Sequence, residues 1–232
     1  DERIGLFLER AQRNTINQYL DDVEPLFLPD DFYYYDRFCD GDDFSSQKYI
    51  EHFRTIIKAI RKKQYIQICF SSRRENRISR TYLPCRIEYS SKNNKFRLLA
   101  IYEKKSGKQQ IQIINLSRIE SISVTDNICE IPVHFEKTYQ SSYYKEPVKL
   151  LITNRRNALE RTMLHFANYE KHTKKLDAEH YECLIYYNQN DETELLIEIL
   201  SFGPMIKVLG PDDFVEKIKE RLKKQERLLR DL

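Results

Sequence analysis

The chain has 232 residues, 41% of them hydrophobic and 32% charged, with a net charge of +3, a balance that excludes a disordered polyampholyte and supplies cores for one large domain or two small ones. No run of about 18 apolar residues occurs, which excludes a helical membrane span. Five separated cysteines, Cys39, Cys69, Cys85, Cys129 and Cys183, with no C-x-x-C pair, exclude a zinc ribbon or a dithiol oxidoreductase. The expectation is a cytoplasmic protein with reduced thiols, in which Cys69 and Cys85 serve as packing inside apolar strands.

Residues 2–20 place Ile4, Phe7, Leu8, Ala11, Thr15 and Tyr19 at helical spacings. The chain opens inside that pattern without a methionine, so an upstream domain is expected outside it. The next stretch, "DDVEPLFLPDDFYYYDRFCDGDDF", is acidic and aromatic. It lacks the ligand spacing and closing glutamate of a calcium loop and reads as an irregular surface segment held by its aromatics. Ser45 or Ser46 then caps a helix whose apolar face is Tyr49, Ile50, Phe53, Ile56, Ile57 and Ile60, stopping at "RKK".

Five strand patterns follow, at 65–71, 79–90, 95–103, 109–116 and 118–124, joined by the turn-rich "SRREN", "SKNN" and "KSGK". A helix followed by five short hairpinned strands predicts a small, strongly bent antiparallel sheet or barrel. Within it, "KFRLLAIYE" (95–103) alternates so that both faces are buried, except for Arg97. Periodicity is lost from 126 to 147, read as a linker. Beyond it the order is strand (148–153), helix (155–166), strands (168–176 and 180–188), helix (191–201), strand (205–209) and helix (212–229), with Gly203 as a left-handed stop and Pro211–Asp212 opening the last helix. Two βαβ-like units with an antiparallel central pair predict a ferredoxin-like layer. The fold class is therefore α+β. A helical N-terminal segment (1–48) precedes a small barrel (49–125), the linker, and a ferredoxin-like C-terminal domain (148–232).

Charge is distributed unevenly along these segments. Residues 1–50 hold 5 Lys/Arg against 12 Asp/Glu, residues 51–118 hold 17 against 4, and the remainder sums to −3. A basic block of +13 favours polyanions, because each cation that meets a phosphate releases counterions. A solvated basic face, or one neutralised by the acidic N-terminal segment, explains the charge equally well. The five histidines lack H-x-x-x-H spacing. No Walker, GxGxxG or nucleophile motif occurs, so no catalytic residue, metal or cofactor is expected.

The order of the leading helix, "RTYLP" before a strand, an aromatic-x-Leu strand start, "LSRI" and "SFGPMIKVLGP" over residues 49–229 resembles the bacterial WYL-domain proteins with their C-terminal extension. "RIGLFL" and "DDFYYYDRF" are similar to segments ahead of that domain in clostridial-type members. The resemblance implies an Sm-like, SH3-type five-stranded barrel that senses a nucleic-acid or nucleotide-like ligand, a homodimer, and coupling to a DNA-binding domain that lies outside this chain. Some relatives accompany phage-defence systems or RNA-targeting CRISPR effectors. The chain departs from the family at its defining triplet, which here is Phe96, Arg97 and Leu98. Gln112 stands where the family has an arginine, and Asn115 takes the next polar position. Arg118 and Arg80 match.

Arg97 shares a strand face with Leu99 and Ile101, and neighbouring strands could bring Arg86 or Asn115 alongside. Clustered guanidinium groups repel unless an anion joins them. Tyr82, Tyr89 and Phe96 offer nearby flat faces, so cations and aromatics interleave as single-strand binders require. The structural alternative is that Arg97 pairs with Glu88 or Glu103 and staples the sheet. The expected function is a non-enzymatic, ligand-sensing transcriptional or defence-system regulator. Arg80, Arg86, Arg97 and Arg118 would take phosphate, Tyr89 and Phe96 would stack bases, and Gln112 and Asn115 would hydrogen-bond. Binding would be relayed through the C-terminal domain. The rival expectation is a protein–protein adaptor with no nucleic-acid ligand.

Overall fold

A computed structural model describes residues 3–21, 23, 24, 26, 31, 41–71, 77–104, 106–129 and 135–230. Most of the acidic, tyrosine-rich stretch, with Cys39, the turn "SRREN" and His134, falls outside the described residues. Among the described residues, two antiparallel sheets and seven α-helices make a mixed α+β chain. It divides into two compact units, Asp1–Thr138 and Tyr139–Leu232. No described helix is long and apolar enough to cross a membrane.

The first unit begins with α1 (Ile4–Phe7) and α2 (Arg10–Leu20). The predicted single helix is broken at Leu8–Glu9, where the Glu9 and Gln12 side chains form a reciprocal cap that starts α2 afresh. The expected apolar face is also corrected. Phe7 and Tyr19 are exposed, α2 buries nothing, and the anchoring residue is Leu6. Arg54 explains why. Its guanidinium donates to the backbone carbonyls of Gly5, Leu6 and Leu8 at 3.0, 3.3 and 3.0 Å and pairs with Glu9, fastening the segment to α3 (Gln47–Lys62).

Ser46 caps α3 by accepting from the Tyr49 amide, and Tyr49, Phe53, Ile56 and Ala59 form its buried stripe, close to the predicted face. Ahead of it, Phe44 and Asp42 are buried. The Asp42 carboxylate accepts from the Tyr49 hydroxyl (2.7 Å) and the Phe96 amide (3.0 Å), so this acidic residue ties the segment to helix and sheet rather than facing water.

Strands β1 (Gln64–Ser71), β2 (Arg77–Ser90), β3 (Lys95–Glu103), β4 (Gln109–Asn115) and β5 (Ile119–Ile128) form a sheet ordered β4-β3-β2-β1-β5. The chain thus returns to pair β5 with β1. In β2, Pro84 faces Ala100 and Arg86 faces Leu99, leaving Cys85 as an extra bulged residue. The bulge switches the inward set from Tyr82 and Pro84 to Ile87 and Tyr89. The helix-side core gathers Phe53, Ile56, Ile66, Ile68, Tyr82, Phe96, Leu98 and Ile114. Leu83, Leu99, Ile101 and Ile111 are buried on the other face, as the alternation in "KFRLLAIYE" anticipates. The stretch expected as a linker contains a short helix, α4 (Phe135–Gln140).

The second unit runs β6 (Val148–Thr153), α5 (Ala158–His165), β7 (Glu170–Lys175), β8 (His180–Tyr186), α6 (Glu192–Leu200), β9 (Ile206–Gly210) and α7 (Asp212–Arg230). Its sheet is ordered β7-β8-β6-β9. Gly203 has φ +57°, the left-handed conformation foreseen for it after α6. Val148, Leu150, Ile152, Cys183 and Ile185 meet Phe166, Leu195, Leu196, Ile199, Phe214 and Ile218, so all three helices lie on one face.

Candidate nucleic-acid interface

Strand register decides which of the eight candidate side chains share a surface. Arg97 is cross-strand from Glu88 on one side and Asn115 on the other, and Arg86 faces Leu99 one step along. Arg86, Arg97 and Asn115 therefore occupy one face of the sheet, as expected. Tyr89 and Phe96 face each other in the same ladder, one residue out of phase, so they point to the opposite face. The predicted interleaving of these arginines with these rings does not form.

The arginine pair also has an internal counter-charge. Glu88 Oε2 lies 2.9 Å from Arg97 Nε, and Glu88 Oε1 lies 3.1 Å from Arg86 Nη2. Arg86 further pairs with Glu136 at 3.3 Å and lies over the Phe135 ring at 4.9 Å. The cluster thus needs no foreign anion to be stable, which corrects the repulsion premise and realises the Glu88 staple for Arg97.

Phe96 is only 8% exposed, with Phe44, Phe53 and Tyr89 rings at 5.8, 5.1 and 4.7 Å, so it is a core residue and not an open stacking platform. Tyr89 is half-buried. Its hydroxyl donates to Asn94 Oδ1 at 2.7 Å, and the Arg3 guanidinium lies 5.1 Å from its ring centroid. Tyr89 and the edge of Phe96 line a shallow apolar groove with Arg3, Ile4 and Phe7, a feature the sequence reading missed because Arg3 carries no motif.

Arg80 and Gln112 lie on the helix-side face, towards the opposite end of β3. Arg80 pairs in register with Ile68, is exposed, and lays its guanidinium 4.3 Å from the centroid of Tyr102, whose hydroxyl donates to Gln110 at 2.8 Å. Beneath it, burial raises the Tyr82 hydroxyl above the ordinary tyrosine value, and Arg80 pulls the other way. Gln112, opposite Ala100, donates to the Ile113 carbonyl at 3.4 Å. Arg118 is exposed at the end of the 3-10 turn Leu116–Arg118, three residues beyond Asn115 and just before Ile119 pairs with Phe70. Among the described residues, no carboxylate lies within ion-pair distance of Arg80 or Arg118.

A polar cluster at the outer end of β1 lay beyond the sequence reading. Arg77 Nε contacts Cys69 Sγ at 2.9 Å and Glu120 Oε2 at 3.0 Å, and Ser71 donates to Glu120. Hydrogen bonding from Ser71, assisted by Arg77, lowers the Glu120 carboxyl below its usual range. Cys69 is therefore more than filler. Cys85 is held up to about 11, chiefly by burial.

Neither known protein families nor curated proteins give a match to this chain. Among solved structures, it is similar to one described as a CRISPR Cas-related protein, at 15% identity and a TM-score of 0.51, over 82% of this chain and 54% of that one. The chain spans about half the length of that structure, and the likeness at this identity is one of fold. Proteasome accessory factor B/C (PafBC) of Arthrobacter aurescens also matches, at 16% identity and a TM-score of 0.35, over 75% of this chain and 26% of that one.

Proposed function

We propose that this chain is a non-enzymatic regulator of the WYL type. In this reading the five-stranded unit is an Sm-like barrel that binds single-stranded nucleic acid or a nucleotide-like anion. The leading helix and the return of β5 to β1 support the barrel. In the second unit β8 lies between β7 and β6, and helices fill both crossovers, which supports the ferredoxin-like reading. The description of the fold neighbour as a CRISPR Cas-related protein accords with a defence-linked role.

One observation carries the binding proposal. Arg80 and Arg118 are the two arginines that match the resemblance, and they are the two candidate arginines with no carboxylate within ion-pair distance among the described residues, in a segment whose charge is +13. Arg80 is exposed, with its guanidinium 4.3 Å from the Tyr102 ring centroid, and a guanidinium fork suits a phosphate or a base. Arg86, Arg97, Asn115, Tyr89 and Gln112 are secondary contacts, since Glu88 competes with any anion for the first two. Ligand binding would favour one of two arrangements of a homodimer and of any effector domain coupled to it.

A polarisation titration with a short labelled oligonucleotide tests this. Affinity should appear at low salt and fall steeply as salt rises. Arg80→Ala and Arg118→Ala should each weaken it by about 1–3 kcal/mol. Absence of binding at low salt, or binding indifferent to salt, would overturn it. The adaptor reading then stands on α2 and the residues after it, which expose Ile16, Tyr19, Leu20, Val23 and Leu26.

A further inference from the structure

The second unit has a sheet face that none of its helices covers. The inward set is Val148, Leu150 and Ile152 on β6 with Cys183 and Ile185 on β8, and the helices pack on it. By alternation, Lys149 and Leu151, Glu182, Leu184 and Tyr186, and Lys207 face the other way, with His172 and Lys174 on the edge strand. Register orders them in rows: Tyr186 beside Glu170, then His172–Leu184–Lys149, then Lys174–Glu182–Leu151–Lys207.

Three features of this surface point to one class of ligand. Aromatic rings stand on two adjacent strands: Tyr186 is half-exposed, and His172, with a side chain 68% exposed, lies 5.7 Å from it in an edge-to-face pair. Leu184 and Leu151 give a flat, half-buried floor between them and the far strand. Lysines bracket the floor on both sides: Lys174 on β7, Lys149 at the centre and Lys207 on β9. Of the three lysines of edge strand β7, Lys174 lies on this face, while Lys171 and Lys175, opposite Ile185 and Tyr181, lie on the helix side. Glu182 tempers this charge, with its Oε2 2.6 Å from Lys149 Nζ, and His172 lies 3.9 Å from Glu170.

We infer that this helix-free face is a second binding site, which takes single-stranded nucleic acid with bases stacked on Tyr186 and His172 and the backbone running past Lys174, Lys149 and Lys207. Flat rings on a four-stranded sheet accept any base through its π-face, and lysines at the rim hold the phosphates without setting sequence. The pattern disfavours a second copy of the chain as occupant. Each row carries ionisable groups, and face-to-face packing would bury three lysines per copy against two glutamates. The inference is independent of the barrel proposal.

The test is photocrosslinking of a thiouridine-containing oligouridylate to the full chain, with adducts mapped by mass spectrometry. It is repeated in an Arg80→Ala/Arg118→Ala background that removes the first site. Adducts are expected on peptides holding His172 or Tyr186 in both backgrounds. In the second background, Tyr186→Ala should weaken binding about tenfold, while Tyr186→Phe, which keeps the ring, should bind as the parent does. Unchanged circular dichroism melting shows that the variants are folded. Adducts confined to residues before 139, or equal affinity for Tyr186→Ala and its parent, would overturn the inference. So would loss of a dimer in sedimentation on Tyr186→Ala without any adduct on this face, which would assign the surface to a second copy.

Discussion

Glu88 is the residue at which stability and ligand binding should oppose each other. It is 25% exposed and contacts two guanidinium groups that are 36% and 31% exposed, at 3.1 and 2.9 Å. Both contacts are partly screened, so Glu88→Ala should cost about 1–3 kcal/mol, more than an exposed pair and less than a fully buried one. That corresponds to a loss of roughly 2–4 °C in Tm for each kcal/mol in a chain of this size. Arg86 keeps Glu136, while Arg97 loses its Glu88 contact. If this face takes phosphate, removing the competing carboxylate should raise oligonucleotide affinity about three- to tenfold at low salt. The log–log salt slope should steepen by about 0.7 for each phosphate newly engaged. Thermal melting and polarisation titrations over a salt series read the two effects separately, and a double-mutant cycle with Arg97→Ala measures the coupling. A drop in Tm with affinity unchanged or lower would mean that Arg86, Glu88 and Arg97 only staple β2 to β3, and the face would have no part in binding.

Two further outcomes follow from other contacts. Arg54→Ala removes the donors to the carbonyls of Gly5, Leu6 and Leu8, so the segment through Leu20 should become cleavable in limited proteolysis at a cost of about 1–3 kcal/mol. Arg54→Lys should not rescue it, since one ammonium cannot reproduce the planar fork; protection equal to the parent in either variant would refute the clamp. Burial raises the folded-state values of Tyr49, Tyr82, Tyr169 and Tyr187 above the ordinary 10.0. Above that pH the unfolded chain loses these protons first. The stabilisation is therefore complete below pH 10.0 and is lost as pH rises beyond it towards the folded-state values. Tyrosinate absorbance should show a late group of tyrosines that ionises only as the near-ultraviolet circular dichroism collapses. Smooth ionisation of every tyrosine in the folded chain would contradict this.

Local rules made much of the architecture legible. The stripe of α3 and its Ser46 cap, the alternation of β3 and the strand–helix order after Val148 all follow from periodicities of 3.6 and 2. The same alternation put Arg97 and Asn115 on one face, and it equally implied that Tyr89 and Phe96 lie on the other. What could not be read was which of Glu88 and Glu103 pairs with Arg97, or that Glu88 also holds Arg86, because register depends on how the turn between β2 and β3 closes. The break at Leu8–Glu9 and the burial of Leu6 were hidden for a similar reason. They depend on Arg54, more than forty residues away, which carries no local signal for binding backbone carbonyls. Asp42 sits in an acidic run that suggests water, and only the Tyr49 hydroxyl and Phe96 amide reveal its place inside.

The unpaired Cys85 sets limits on how this chain can drift over generations. Deleting that one residue would make Pro84–Ala100 and Arg86–Leu99 consecutive rungs of a regular ladder, so every later side chain of β2 would keep its partner and its face while the strand lost its local bend. A length change in the hairpin beyond Ser90 could be absorbed locally. Lineages descended from this sequence should therefore vary freely in hairpin length yet keep one extra residue in β2 wherever the sheet bends as it does here, whatever side chain stands at position 85.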